Sequence, residues 1–139
     1  METKRTKYGG RKAGTPNVNR KDNFKRFNLT QYQRVKGVYI LKCKNRYKIG
    51  MTSNLYQRIS LLNSMNAFGV DIVNIITIED NKSLEYLIHE ILKKKLVNGR
   101  EWFELDFTDV NILRNMSNKN IDTTLIDLKN NNLLKNIHD

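Results

Sequence analysis

One cysteine, one proline and two histidines are spread over 139 residues, and each scarcity closes a route. Cys43 has no second thiol, so no internal disulfide and no CxxC-type zinc site can form, and a reducing compartment is the expected setting. His89 and His138 are the whole imidazole supply. Neither HExxH nor a His/Cys cluster occurs, which leaves a catalytic zinc short of its usual set of about three protein ligands. No Ser or Cys has a patterned base partner, which excludes nucleophile triads. The glycines of "YGGRKAGTPN" follow no strand and lack the GxxxxGK[ST] spacing, so they do not make a nucleotide phosphate loop. No apolar run is long enough to span a bilayer, and no segment is amphipathic with one basic face, so a membrane partner is not expected. No apolar stretch follows the basic N-terminus, so no secretory leader is expected. The setting that remains is intracellular, cytoplasmic or nucleoid-associated.

What the chain has in surplus is positive charge. Its formal net charge is +11 and its isoelectric point is about 9.8, a balance that suits a polyanion, because each Lys or Arg meeting a phosphate releases counterions. The surplus is lopsided: residues 1–30 hold nine Lys/Arg against two acids, a net of +7, and residues 31–139 hold sixteen against twelve, a net of +4. The first segment has three glycines, the proline and few aliphatics, too little apolar surface to offset its ordering entropy. Residues 1–33 are therefore expected to be a flexible arm. Arg11 and Lys12, set between glycines, with Arg20 and Lys21 beyond, suit phosphates and a minor groove without reading sequence.

Periodicity organises the rest. "VKGVYILKC" alternates as a strand, "CKNRY" is a polar turn and "YKIGMT" a second strand. Asn54 has the character of an N-cap, with Gln57 three residues on, and Leu55, Ile59, Leu62 and Met65 then predict an amphipathic helix over 55–66 that ends at Gly69. "VDIVNIITIE" is the most apolar β-branched run and is expected to be the buried central strand. "DNKSLEYLIHEILKKKLVNG" is the strongest helical segment, with Gly99 at its stop and Lys93 to Lys95 solvated in its last turns. "EWFEL" is expected as a short edge strand, Thr108 or Asp109 as the cap of another short helix, and 123–135 as a last marginal helix. The expected class is α+β: a small antiparallel or mixed sheet of three to four strands flanked by helices, spanning 34–107, with a helical extension over 108–139.

The residues that could carry chemistry lie in the hairpin and the two helices after it. Tyr39 shares a strand face with Leu41; Lys48 points opposite to Tyr47 and Ile49, towards an accessible face of the hairpin. Arg58 follows the cap by one helical turn. Glu85 and His89 stack at i and i+4 on a half-buried helical face, where a carboxylate needs a cation, a basic side chain or a metal. Each has a plainer alternative: Tyr39 as a packing aromatic, Arg58 as a solvated helix residue, Glu85 paired with a lysine, His89 as a core histidine.

In order, "GVY" at 37–39, "YKIG" at 47–50, "MTSNLYQR" ending on Arg58, Glu85-x-x-x-His89 and "EWF" at 101–103 resemble the landmarks of the GIY-YIG nuclease superfamily, in its phage and meiotically up-regulated branch. The resemblance covers roughly residues 36–106. It implies a metal-dependent endonuclease acting on DNA. It would make Tyr39 the tyrosine beside the attacking water and Arg58 the arginine on the scissile phosphate. Glu85 would be the ligand of one divalent metal, Mg²⁺ or alternatively Mn²⁺, and Gly50 the glycine of the tight approach. Lys48 stands where the family has its second tyrosine, since Tyr47 falls one position early; the lysine could be the base or a phosphate ligand. His89 is left between a core histidine, a phosphate-orienting group and a proton donor. Other branches carry an asparagine near the sheet, for which Asn98 is the nearest stand-in. The competing expectation is a binding module that keeps the fold without the chemistry.

Overall fold

The computed structural model describes residues 27–99 and 101–138, apart from the side chains of Asn98 and of residues 134–138. Arg11, Lys12, Arg20 and Lys21 lie outside the described residues.

Among the described residues five strands make one sheet: β1 (Gly37–Cys43), β2 (Arg46–Thr52), β3 (Asp71–Thr77), β4 (Leu96–Asn98) and β5 (Trp102–Phe103). Their spatial order is β3-β1-β2-β5-β4, and every neighbouring pair is antiparallel. Four α-helices among the described residues flank it: α1 (Leu55–Met65), α2 (Asn81–Leu92), α3 (Phe107–Arg114) and α4 (Ile121–His138). The class is α+β as expected, with one strand more than the three to four anticipated.

Alternation along the strands divides the apolar side chains between two faces. Tyr39 and Leu41 face α1 and pack with Leu55, Ile59 and Leu62. Val38, Ile40, Tyr47, Ile49 and Phe103 face the other way, onto Leu84, Ile88 and Leu92 of α2, Val110 and Leu113 of α3 and Leu128 of α4. Both C-terminal helices thus belong to the same core as the hairpin.

Three expectations fail in the sheet, for related reasons. The run around β3 is buried on both faces but is an outer strand, because apolar faces report what packs above and below a strand and not what pairs beside it. Its Asn74 is buried and donates through Nδ2 to the carbonyls of Leu113 and Met116 at 2.8 and 2.7 Å, satisfying the end of α3. β5 is an inner strand, paired on both sides, and the outer strand is β4. β4 was hidden within the expected helix: α2 ends at Leu92, Lys93–Lys95 tighten into a 3₁₀ turn, and Leu96–Asn98 is extended. Gly99, at φ +64°, turns the β4–β5 hairpin and does not stop a helix. A glycine in the left-handed region serves either role, so its letter does not separate them.

Polar residues set the helices. The Asn54 side chain accepts from the Gln57 amide at 3.2 Å, and Asn81 Nδ2 donates to the carbonyls of Thr52 and Gly37 at 3.0 and 3.2 Å, seating the start of α2 on the ends of β1 and β2. The cap of α3 is Asp106, with Asp109 completing a capping box, and not Thr108 or Asp109. Asp109 is fully buried, and Lys95 reaches it as an ion-pair partner, so this lysine is not a solvated helix end. Asn131 and Asn132 donate to the same carboxylate at 2.8 and 3.0 Å. Those bonds tie the turn after α2 to α3 and α4, and α4 runs well past the marginal helix expected over 123–135.

Candidate active-site cleft

The register of the first hairpin builds the floor of the cleft. Tyr39 pairs with Gly50 and Leu41 with Lys48, so Tyr39, Lys48 and Gly50 face the same side, towards α1. A Cβ on Gly50 would fall on the Tyr39 hydroxyl and ring, so only glycine lets the phenol lie across β2. Gly50→Ala should therefore cost about 1–3 kcal/mol of stability through overpacking. Urea unfolding checks this, and in a Tyr39→Ala background the cost should largely vanish. A penalty that persists there would remove the ring as its cause.

Arg58, Leu62 and Met65 of α1 form one wall, Glu85 of α2 another, and Glu101 and Trp102 the outer rim of a cleft of about 430 Å³. The sequence-expected residues Tyr39, Lys48, Arg58 and Glu85 thus line one cavity. Its chemistry is polarised by burial. Burial pushes the Tyr39 phenol above its ordinary value of 10.0; the Arg58 charge works against this and Glu85 adds to it. At neutral pH this group is an intact hydroxyl, able to donate and to accept. Burial pushes the Lys48 amine below its ordinary value of 10.5, Arg58 pushes it further down and Glu85 opposes both.

Lys48 is only 7% exposed, its amine ion-pairs with Glu101 and it stands 5.3 Å from the centre of the Trp102 ring. Glu101 is the cleft residue that sequence reasoning missed as a participant. "EWF" served there only as a landmark. With β4 read as helix, nothing indicated that Trp102 pairs with Lys48 and brings its neighbour onto the amine. Trp102 lines the cleft and Phe103 is core.

His89 stands behind this group. Its Nε2 lies 2.7 Å from the Ile49 carbonyl, which can only accept, so that nitrogen carries the proton. The ring meets Phe103 edge-on, at 5.0 Å between centroids, and Glu85 Oε2 is 3.9 Å from Nε2.

Among the described residues no three His, Cys, Asp or Glu side chains group as a metal cage. Of the two carboxylates lining the cleft, Glu101 is paired with Lys48, and Glu85 is one hard oxygen donor of the kind that would fit Mg²⁺, an ion that keeps most of its waters and takes one or two carboxylates. Also among the described residues, no helix is long and apolar enough to cross a membrane.

Sheet, helices and cleft define a small α+β domain with a lysine, an arginine and two carboxylates lining one cleft with a buried tyrosine. The T5orf172 domain matches residues 36–119, and the chain belongs to that family, a phage-derived domain type associated with nuclease and DNA-binding functions. No curated protein and no solved structure matches the chain.

Proposed function

We propose that the protein is a metal-dependent DNA endonuclease of the GIY-YIG type, with the basic N-terminal arm adding non-specific affinity. The observation that supports it most is the convergence of Tyr39, Lys48, Arg58 and Glu85 on one cavity, where Gly50 makes room for the phenol. Hydrolysis forms a bond from water to phosphorus and breaks the bond to the leaving oxygen, so it needs a proton acceptor and positive charge near the phosphoryl oxygens. Arg58 supplies a permanent charge and two parallel donors suited to phosphate. Lys48 takes the proton of the attacking water once its amine is neutral, a state that burial and Arg58 favour and the Glu101 ion pair opposes, and the Tyr39 hydroxyl orients that water. Glu85 would hold the Mg²⁺ or Mn²⁺, and a bound cation supplies Lewis-acid stabilisation of the phosphoryl and leaving oxygens. The His89 ring donates to the Ile49 carbonyl at 2.7 Å and so seats α2, which carries Glu85, on β2.

Plasmid nicking, with Mg²⁺ or Mn²⁺ and with chelator, tests this. Wild-type protein should convert supercoiled to open-circular DNA and lose that activity with chelator. Its rate should rise with pH as Lys48 loses its proton, through a value below the 10.5 of an ordinary lysine. Lys48→Met, which keeps the packed stem, should lose that rise. The linkage sign agrees: the folded state binds this proton less tightly than the unfolded chain, so stability from this residue increases as pH climbs towards 10.5. Protein that binds DNA, nicks nothing under any of these conditions and matches Arg58→Ala would leave a binding module in place of a nuclease.

A further inference from the structure

Charge is segregated within the described fold as well as along the arm. Residues 27–70, which supply β1, β2 and α1, carry seven Lys/Arg and no Asp or Glu; residues 71–138 carry nine against eleven. Beside the cleft, this acid-free half also exposes large apolar side chains. Met65 is 69% exposed and lines the cleft, and Phe68, in the turn that follows α1, is 53% exposed. Solitary exposed apolar residues need no explanation, but Met65 and Asn66 line the cleft and Phe68 follows two residues on in the same turn.

The turn at residues 66–69 is also held in place. Asn66 Nδ2 donates to the Leu62 carbonyl at 2.7 Å, and the Gly69 amide closes onto the Asn66 carbonyl at 2.8 Å. The tip of the β1–β2 hairpin reaches across to it: the Cys43 thiol donates to Asn66 Oδ1 at 3.7 Å, and Lys44 Nζ sits 4.7 Å from the centre of the Phe68 ring. Lys44 adopts φ +59° at that tip, and Arg46 opens β2 just beyond it. A pinned apolar projection flanked by cations, continuous with a cleft, has the form of the wedges that enter a minor groove and part a base step while basic side chains hold the phosphates on either side.

We infer that the 66–69 turn and the hairpin tip form a DNA-docking rim beside the cleft, with Phe68 and Met65 inserted at a base step and Lys44 and Arg46 on the flanking phosphates. This rests on the nuclease reading and adds to it the direction in which duplex leaves the site. The occupant is duplex DNA, because the segment that forms the rim, residues 27–70, carries seven Lys/Arg and no acid, and its Met65 and Asn66 line the cleft.

The test uses the full chain and a short DNA duplex, with fluorescence anisotropy over a salt series and nicking kinetics on plasmid. Lys44→Ala with Arg46→Ala should weaken binding and reduce the salt slope by about two, at roughly 0.9 for each phosphate left without its cation. Phe68→Ala should weaken binding with the slope unchanged, and Phe68→Tyr should restore it. KM should rise in both while kcat stays near wild type. Lys129→Ala, on α4 beyond the other face of the sheet, should bind as wild type. Rim variants that keep wild-type affinity and KM while the wild type nicks would overturn the rim and leave the nuclease standing. Equal losses from Lys129→Ala would reduce the effect to overall charge and overturn it too. A wild type that binds no duplex overturns both proposals.

Discussion

Nicking by the Arg58→Ala variant should fall by about 10²–10³-fold, the usual cost of removing one preorganised donor from a developing anion. Duplex affinity should change little by comparison, because many other cations contribute to it. Arg58 is exposed on the first turns of α1 and carries no core packing, so unfolding by urea should be near wild type. Arg58→Lys keeps the charge but loses the planar fork, so it should recover only part of the rate. Single-turnover nicking on prebound plasmid separates the step itself from binding. A variant that loses affinity and rate in equal measure would make Arg58 a docking residue and not a participant in the chemistry.

The second large effect lies on the other face of the sheet. Asp109→Ala should destabilise the protein by about 3 kcal/mol, because it removes a fully buried carboxylate that Lys95, Asn131 and Asn132 share and leaves Lys95 with Asp106 alone, 3.2 Å away. Against a typical total of about 5–15 kcal/mol, that is a large fraction of the whole. Urea unfolding would show the shift as a lowered midpoint. Replacing the pair together, with Lys95→Met and Asp109→Leu, should recover part of the loss, since the buried charge pair is then gone and Asp106, which loses Lys95, still accepts from the backbone amide of residue 109. If the double variant is as unstable as the single one, the hydrogen bonds from Asn131 and Asn132 carry the effect. Asp109 lines no part of the cleft, so Asp109→Ala assayed well below its melting range should still nick.

These two residues also mark what was legible beforehand. Tyr39 could be placed with Leu41, and Lys48 opposite Tyr47 and Ile49, from strand alternation alone, because a period of two fixes sides within a strand; that Tyr39 and Lys48 share a face needed the pairing register. Arg58 followed from the Asn54 cap, which the structure realises as a side-chain acceptor for the Gln57 amide. Lateral order was not legible. β3 looked central because helices cover both its faces, and β4 looked helical because "LKKKLVNG" continues a helical period into a glycine that suits either ending. That second misreading hid Glu101, whose place depends on Trp102 pairing with Lys48. Asp109 was read as a cap because a capping box puts an acid at both ends, and only its burial under α4 reveals the tie to Lys95. Long-range polar contacts of this kind leave no periodic trace.

The sheet order has a consequence for when different parts of the cleft open. β1 is bonded on both sides, to β2 and to β3 over nearly its whole length, so the Tyr39 amide should exchange with solvent deuterons only when the domain unfolds. Glu101 sits on the turn of the short outer hairpin, where β4 and β5 contribute three and two residues. That hairpin should open by itself, far more often. One partner of the Lys48 ion pair therefore rests on the slowest-opening part of the chain and the other on one of the fastest. The floor of the cleft keeps its shape while its rim breathes.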